Sequence, residues 1–194
     1  MRIAIIDYGA GNTQSVKYAL KRLGYKGILT SDKEVISNSD KVIFPGVGQA
    51  SSAMKKLQSE GLDLLIPNLK QPVLGICLGM QLMCNFSEEG NTECLKIFNS
   101  KVKKFDNSLK VPQIGWNTIF DLKTSLFNSI SEKEYMYLVH SYFVPVISET
   151  ISTTKYGIDY STAIKKNNFT GVQFHPEKSG GKGEIILKNF ITNP

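Results

Sequence analysis

The sequence contains few of the residues that define several common protein classes. Its 194 residues include three cysteines and two histidines, and no cysteines show the Cys-x-x-Cys spacing of a metal site. We therefore expect no disulfide framework, no metal and no cofactor. No apolar stretch approaches the roughly 20 residues of a membrane span, and residues 1–6 are too short for a signal peptide. The sequence predicts a cytoplasmic protein with free thiols and no membrane contact.

Charge gives no reason to expect a nucleic-acid partner. The formal net charge is +6, from 23 basic and 17 acidic side chains. The lysines are spread along the chain rather than gathered in one basic element with interleaved aromatics. Solvated faces explain this distribution, and docking of a more acidic protein partner is the second interpretation.

Apolar patterning predicts an α/β fold with a mixed sheet that has a parallel centre flanked by helices. The chain, 41% hydrophobic and 21% charged, suits one domain over residues 1–194, with no repeat or linker. Residues 2–7, 42–45 and 73–76 are continuous apolar runs, as in parallel strands covered on both faces. Helices are predicted at 13–23, 50–60, 78–86 and 182–192, the first with Thr13 as N-cap and Gly24 as its stop. Short alternating strands are predicted at 100–105, 115–120, 135–140, 142–147, 151–157, 161–166 and 169–174.

Cys77 lies where an apolar strand is predicted to turn abruptly into a helix. Gly75 and Gly79 flank it at the offsets of the glycines in the Gly-x-Ser-x-Gly nucleophile elbow, where side chains would obstruct a strained turn. The N–H groups at the helix start, Leu78 first, favour a thiolate and can donate to an oxyanion. An isolated cysteine would more often be a buried core residue. The paired glycines favour a nucleophile.

His175 is the better of two candidates for the general base. It follows the alternating run 169–174 and precedes Pro176 and Glu177. In extended backbone, residues two apart project to the same side, so Glu177 can orient the imidazole. A solvated histidine at a strand end is the alternative. His140 is predicted to have a packing or backbone-positioning role.

Several segments, spread along the whole chain, together resemble one family. Gly75 to Gln81, with His175-Pro176-Glu177, resembles the class I, or triad, glutamine amidotransferases. Residues 7–12, 44–48, 111–117 and 140–142 are similar to segments of the glutaminase subunits of imidazole glycerol phosphate synthases. The resemblance extends from the first residues to the last helix. It implies the single-domain, flavodoxin-like fold of that family.

The resemblance also implies roles for individual residues. Cys77 would attack the side-chain amide of L-glutamine, His175 would pass a proton to the departing ammonia, and Glu177 would hold His175. The oxyanion donors would come from Leu78 and from the loop Gly46-Val47-Gly48. Glutamine would be bound by Gln81, Glu89 and the backbone of Ser141 and Tyr142.

A protein partner is implied as well, because ammonia released into water near neutral pH is mostly protonated and cannot attack. In the family, a cyclase or synthase subunit with a (β/α)₈ barrel forms a heterodimer with the glutaminase and receives the ammonia for histidine biosynthesis. Positions at or near that interface match Asn12, Gln113, Trp116 and Lys178.

Gln113 departs from the family pattern, which usually has histidine there. This leaves open a related glutaminase that feeds ammonia to another acceptor, such as a sugar-modifying amidotransferase. Two further readings are a partner-free hydrolase such as a peptidase and a non-catalytic binding module. The intact glutamine-pocket segments disfavour the peptidase, and the intact triad disfavours the binding module.

Overall fold

The computed structural model describes residues 1–9 and 12–193. Its helices are α1 (Thr13–Arg22), α2 (Lys33–Ser37), α3 (Ala50–Ser59), α4 (Leu62–Leu65), α5 (Leu78–Leu82) and α6 (Gly180–Thr192), with short 3₁₀ turns at Ile66–Asn68, Ser125–Phe127 and Pro176–Lys178. Its strands are β1 (Ile3–Ile6), β2 (Gly27–Thr30), β3 (Lys41–Gly46), β4 (Val73–Cys77), β5 (Cys84–Ser87), β6 (Thr92–Glu93), β7 (Phe98–Lys104), β8 (Gln113–Thr118), β9 (Tyr135–His140), β10 (Tyr142–Phe143), β11 (Thr150–Tyr156), β12 (Ile158–Lys166) and β13 (Phe169–Val172).

Within the described residues, the main sheet has seven strands in the order β11-β12-β13-β4-β3-β1-β2. The five strands from β13 to β2 are mutually parallel, and β12 and β11 add an antiparallel edge. The predicted mixed sheet with a parallel centre is therefore confirmed.

The central strands are apolar throughout because both faces of the sheet are covered. Along β1, Ile3 and Ile5 pack with α1 and α6, whereas Ala4 and Ile6 pack with α3 and α4 on the other face. Alternate residues of one strand thus enter two separate hydrophobic layers. The same arrangement brings the carboxyl ends of β3 and β4 to one edge of the sheet.

Two smaller sheets lie outside this core. β10, β7, β5 and β6 form one, and the antiparallel pair β8 and β9 forms the other, with Gln113 opposite His140. In the part of the chain that the structure describes, no helix is long and apolar enough to cross a membrane.

Some predicted elements differ from the structure. The helix predicted over 78–86 ends at Leu82, and Cys84, placed on that helix by the prediction, begins β5 instead. The N-cap of α1 is Asn12, whose side chain accepts from the Ser15 N–H, so Thr13 is the first helical residue. The strand predicted over 142–147 is limited to Tyr142–Phe143, and β2 and α2 were not predicted.

Candidate active site

Cys77 occupies a strained turn between β4 and α5. Its φ is 54°, a left-handed value that side chains other than glycine rarely adopt, and α5 begins at the next residue. A Cβ on Gly79 would overlap the carbonyl oxygen of Phe44, and one on Gly75 would lie 2.9 Å from backbone atoms of Gly79 and Met80. Glycine is therefore required on both sides of Cys77, as the elbow motif predicts.

His175 and Glu177 form a buried ion pair beside this turn. Nδ1 of His175 is 2.8 Å from Oε1 of Glu177, and the backbone N–H of His175 donates to the Tyr137 carbonyl. Burial alone would lower the pKa of His175, but the neighbouring Cys77 sulfur and Glu177 carboxylate outweigh it and raise this pKa to about 10. The pair therefore favours an imidazolium beside the Cys77 sulfur.

Nε2 of His175 is the ring nitrogen that does not face Glu177. It is buried, yet it has no hydrogen-bond partner among the described residues. An unpaired ring nitrogen beside a nucleophile is available to carry a proton to or from a substrate.

The predicted substrate residues other than Gly46 meet in one cavity of about 380 Å³. It is lined by Val47, Gly48, Cys77, Leu78, Gln81, Glu89, Pro112, Val139, His140, Ser141, Tyr142 and His175. Glu89 is half-buried, and burial raises the pKa of its carboxyl although the Ala50 N–H donates to it. The cavity is thus bordered by both the Cys77 sulfur and an acidic group that could hold an ammonium.

The predicted oxyanion loop lies directly beside the nucleophile. Gly46 is paired with Cys77 in the register of β3 and β4, and a Cβ there would come within 2.8 Å of the Gly79 backbone nitrogen. Gly48 has φ of +94°, and Val47 is 40% exposed at the cavity. The loop is therefore close enough to present a backbone donor to a group bound at Cys77.

A buried chain of side-chain amides, which sequence reasoning missed in part, connects to the sulfur. Nε2 of Gln81 donates to the Tyr142 carbonyl and to Oε1 of Gln173, each at 2.8 Å. Nε2 of Gln173 in turn lies 3.6 Å from the Cys77 sulfur. The spacing that placed Glu177 beside His175 also places Gln173, two residues before His175, on that side, so a signal was present.

His140 bonds to the Tyr142 carbonyl at the start of this chain of amides and to Tyr160. Nδ1 lies 2.7 Å from the Tyr142 carbonyl and Nε2 lies 3.2 Å from the hydroxyl of Tyr160. Burial lowers the pKa of His140 to about 4, so the ring is neutral. The Tyr142 carbonyl therefore accepts from both His140 and Gln81.

The predicted interface residues have different environments. Gln113 is buried, and its side chain bonds to the Tyr160 hydroxyl at 2.9 Å, so its outward neighbours Ile114 and Trp116 form the surface there. Trp116 packs edge-on against Tyr137.

The remaining predicted interface positions lie nearer the His175–Glu177 pair. Lys178 is exposed, with its ammonium over the Tyr137 ring, and Asn12 lines a small cleft with Gly46, Val47 and His175. Ala10 and Gly11 of the segment 7–12 lie outside the described residues.

Tyr8 is a second buried residue that the sequence interpretation did not assign to the site. Its hydroxyl is close to Gly46 and has no hydrogen-bond partner in residues 1–9 and 12–193. Burial, followed by the proximity of Cys77, raises its pKa. The phenol is therefore neutral.

Together these groups can perform acyl transfer: a cysteine nucleophile, a histidine held by a carboxylate, and backbone donors for an oxyanion all border one cavity.

Comparisons with known proteins agree with this chemistry. The family model "Glutamine amidotransferase class-I" matches residues 4–193. "Imidazole glycerol phosphate synthase subunit HisH" from Bacteroides fragilis (strain YCH46) is 56% identical over 194 residues, covering 98% of this chain and 99% of the relative. The protein of the same name from Haemophilus influenzae (strain ATCC 51907) is 48% identical, covering 98% and 97%.

Solved structures show the same fold at lower identity. A putative GMP synthase subunit from Thermoplasma acidophilum has a TM-score of 0.76 at 20% identity, covering 98% of this chain and 92% of that one. A crystal structure described as a glutamine amidotransferase has a TM-score of 0.77 at 14% identity, covering 98% and 97%. The chain therefore belongs to the class I glutamine amidotransferases and, within them, to the HisH subunits of imidazole glycerol phosphate synthase.

Proposed function

We propose that this chain is a single glutaminase domain that hydrolyses L-glutamine through a thioester at Cys77 and passes the ammonia to a synthase subunit in histidine biosynthesis. The observation that carries this proposal is that the strained Cys77 turn borders the same cavity as His175, whose ring is paired with Glu177.

The reaction requires two acyl-transfer steps. The Cys77 thiolate attacks the side-chain amide carbon of glutamine, and negative charge develops on the amide oxygen. As the carbon–nitrogen bond breaks, Nε2 of His175 gives its proton to the departing ammonia. Water then attacks the thioester, His175 takes a proton from it, and the thiolate departs to leave glutamate.

The other residues bind the substrate and the charge that develops on it. Leu78 and the loop Gly46-Val47-Gly48 would supply backbone N–H donors to the oxyanion. Glu89 would hold the α-ammonium of glutamine, because its carboxyl borders the same cavity as Cys77. Gln81 would shape the pocket, since both of its N–H groups are occupied within the protein and only Oε1 remains to accept from the substrate.

A docked partner is part of this proposal for two reasons. Free ammonia would be protonated in the cytoplasm, where we place the protein, and ammonium has no lone pair. The surface near the cavity also carries exposed apolar side chains, Ile114 at 64% and Trp116 at 54% exposure. A heterodimer with a (β/α)₈ barrel cyclase would cover this surface and carry the ammonia internally.

The acceptor alternative is less favoured. Full-length relatives at 48–56% identity bear the HisH name, and Gln113 is a buried structural residue rather than an exposed specificity determinant. Co-purification of the synthase subunit from the native organism, followed by an assay of the complex with each candidate acceptor, distinguishes the two possibilities.

The nucleophile is tested by labelling with an electrophilic glutamine analogue. We expect the label on Cys77 alone, because burial raises the pKa of both other thiols, that of Cys94 to about 12. In the reconstituted complex, Cys77→Ala should abolish glutamine-dependent synthesis, and added ammonium salt should restore it.

Label on Cys84 or Cys94 with Cys77 free and activity lost would refute the assignment. So would a Cys77→Ala complex that cannot use ammonium salt, because Cys77 would then serve the fold or the partner.

A further inference from the structure

Gln173 contacts the reacting sulfur although neither the triad nor the substrate pocket includes it. Its side chain is fully buried, and Nε2 lies 3.6 Å from Sγ of Cys77. The backbone N–H of Gln173 donates to the Thr162 carbonyl, which fixes its position at the end of β13. The amide is therefore held against Cys77 by the main sheet.

The hydrogen bonds of its neighbours determine which atom of this amide faces the sulfur. The Tyr142 carbonyl can only accept, so the group of Gln81 that lies 2.8 Å from it must be the NH₂. The same nitrogen lies 2.8 Å from Gln173, which must present its carbonyl oxygen in return. The NH₂ of Gln173 is then the group that points at Cys77.

His140 holds the first acceptor of this series in place. Its Nδ1 lies 2.7 Å from the Tyr142 carbonyl and donates a hydrogen bond to it, so the carbonyl that accepts from Gln81 is fixed in position. Tyr142, Gln81 and Gln173 thus form a directional series that ends in an N–H aimed at sulfur.

We propose that Gln173 is a further catalytic residue, whose N–H stabilises the thiolate of Cys77. This inference rests on the proposed role of Cys77 as nucleophile. The amide takes no proton from the thiol; in the proposed mechanism that proton passes to His175. Its N–H remains a donor after His175 has given its proton to ammonia, so it also stabilises the thiolate that departs when water cleaves the thioester.

Several titratable groups also surround the site. His175 and Glu177 follow β13, Tyr8 follows β1, and the cavity is bordered by Glu89 after β5, His140 in β9 and Tyr142 in β10. A test of Gln173 must leave all of these groups in place and must measure the ionisation of the Cys77 sulfur directly.

The experiment measures the rate at which iodoacetamide alkylates Cys77 in the full-length protein as a function of pH, with the site identified by mass spectrometry. Gln173→Met keeps the length of the side chain and removes the N–H. We expect the midpoint of the thiolate titration to rise by about one to two pH units, because a hydrogen bond to a charged group is lost. Glutamine turnover with the synthase should fall about tenfold or more.

Gln71→Met is the matched control. Gln71 is half-buried and its amide donates to the Ile36 carbonyl, so the same chemical change is made away from Cys77. We expect its alkylation profile to equal that of the unmodified protein. If Gln173→Met does not fold, as judged by circular dichroism, Gln173→Glu carries the same test, with a larger upward shift once its carboxyl is ionised.

An unchanged midpoint in a folded Gln173 variant would overturn the inference and leave the proposed function intact. Failure of iodoacetamide to modify Cys77 in the unmodified protein would instead contradict the nucleophile assignment and, with it, the proposed function.

Discussion

Gly48 offers a direct test of whether the oxyanion loop controls the rate. We propose that the loop of the free subunit holds a backbone donor away from the oxyanion and that partner docking turns it inward. Rotation of the peptide between Val47 and Gly48 by about half a turn would change the φ of Gly48 from +94° to about −90°, a value that any residue adopts. The two states of the loop would therefore differ in their tolerance of a side chain.

Gly48→Ala should consequently favour the active state. A Cβ on Gly48 would meet no atom within 4 Å, so the substitution acts on the backbone alone. Left-handed backbone costs a non-glycine residue about 1–2 kcal/mol, which changes the ratio of the two states about 5- to 30-fold. We expect basal glutaminase turnover of the free subunit to rise by up to this factor, and stimulation by the partner to shrink correspondingly.

The measurement is steady-state glutamate release with and without the synthase subunit. Gly24→Ala is the matched control, because Gly24 has φ of +82°, equal space for a Cβ and a remote position after α1. It should lower stability and leave both rates unchanged. The proposed rotation of the Val47–Gly48 peptide would be refuted by one result. That result is a Gly48→Ala protein whose basal turnover does not exceed that of the unmodified protein although Cys77 can still be alkylated.

Two further predictions concern stability. Because burial lowers the pKa of His140 to about 4, below its unfolded value near 6.5, the unfolded chain binds more protons between these values. The free energy of unfolding should therefore fall by about 1.4 kcal/mol per pH unit as pH drops from 6.5 to 4, and by less in His140→Gln. Equal slopes in urea unfolding at several pH values would contradict this. Tyr8→Phe should raise the free energy of unfolding by about 1 kcal/mol, because it removes a buried hydroxyl that has no partner in the described part of the chain. A loss of stability in urea unfolding would instead reveal a hydrogen bond to that hydroxyl.

The parts of the fold that the sequence predicts are those with one dominant physical cause. Residues 42–45 and 73–76 are apolar at every position because both faces are buried, and only a covered parallel strand needs that pattern. The Cys77 turn is equally specific, because Gly75 and Gly79 lie where backbone atoms leave no room for a Cβ. Such steric requirements are visible in one sequence.

Elements that depend on pairing with distant strands could not be predicted in the same way. Residues 82–86 are mostly apolar and fit either a helix or a strand. Contacts with β6 and β7 decide for the strand Cys84–Ser87. β2 has four half-buried or buried residues at the sheet edge, too few to show a period. In both β5 and β2, pairing with neighbouring strands decides the structure, and the local sequence does not.

The contact between His175 and Glu177 was predictable and the amide chain only partly so. The two residues do meet, but across the 3₁₀ turn Pro176–Lys178 and not along the extended backbone that the prediction assumed. Gln81 and Gln173 are far apart in sequence, and a single buried glutamine resembles any other polar residue until its partner is known. The burial of Gln113 was likewise unpredictable, since its partner Tyr160 comes from a different sheet.

The outward face of β8 has a consequence for how much of this protein a cell can make. Ile114 and Trp116 are two residues apart, so their apolar side chains project together, and Val47 is exposed at the nearby cavity. A subunit made in excess of its partner would leave this patch open to self-association. Balanced synthesis of the two chains would therefore protect solubility as well as ammonia transfer.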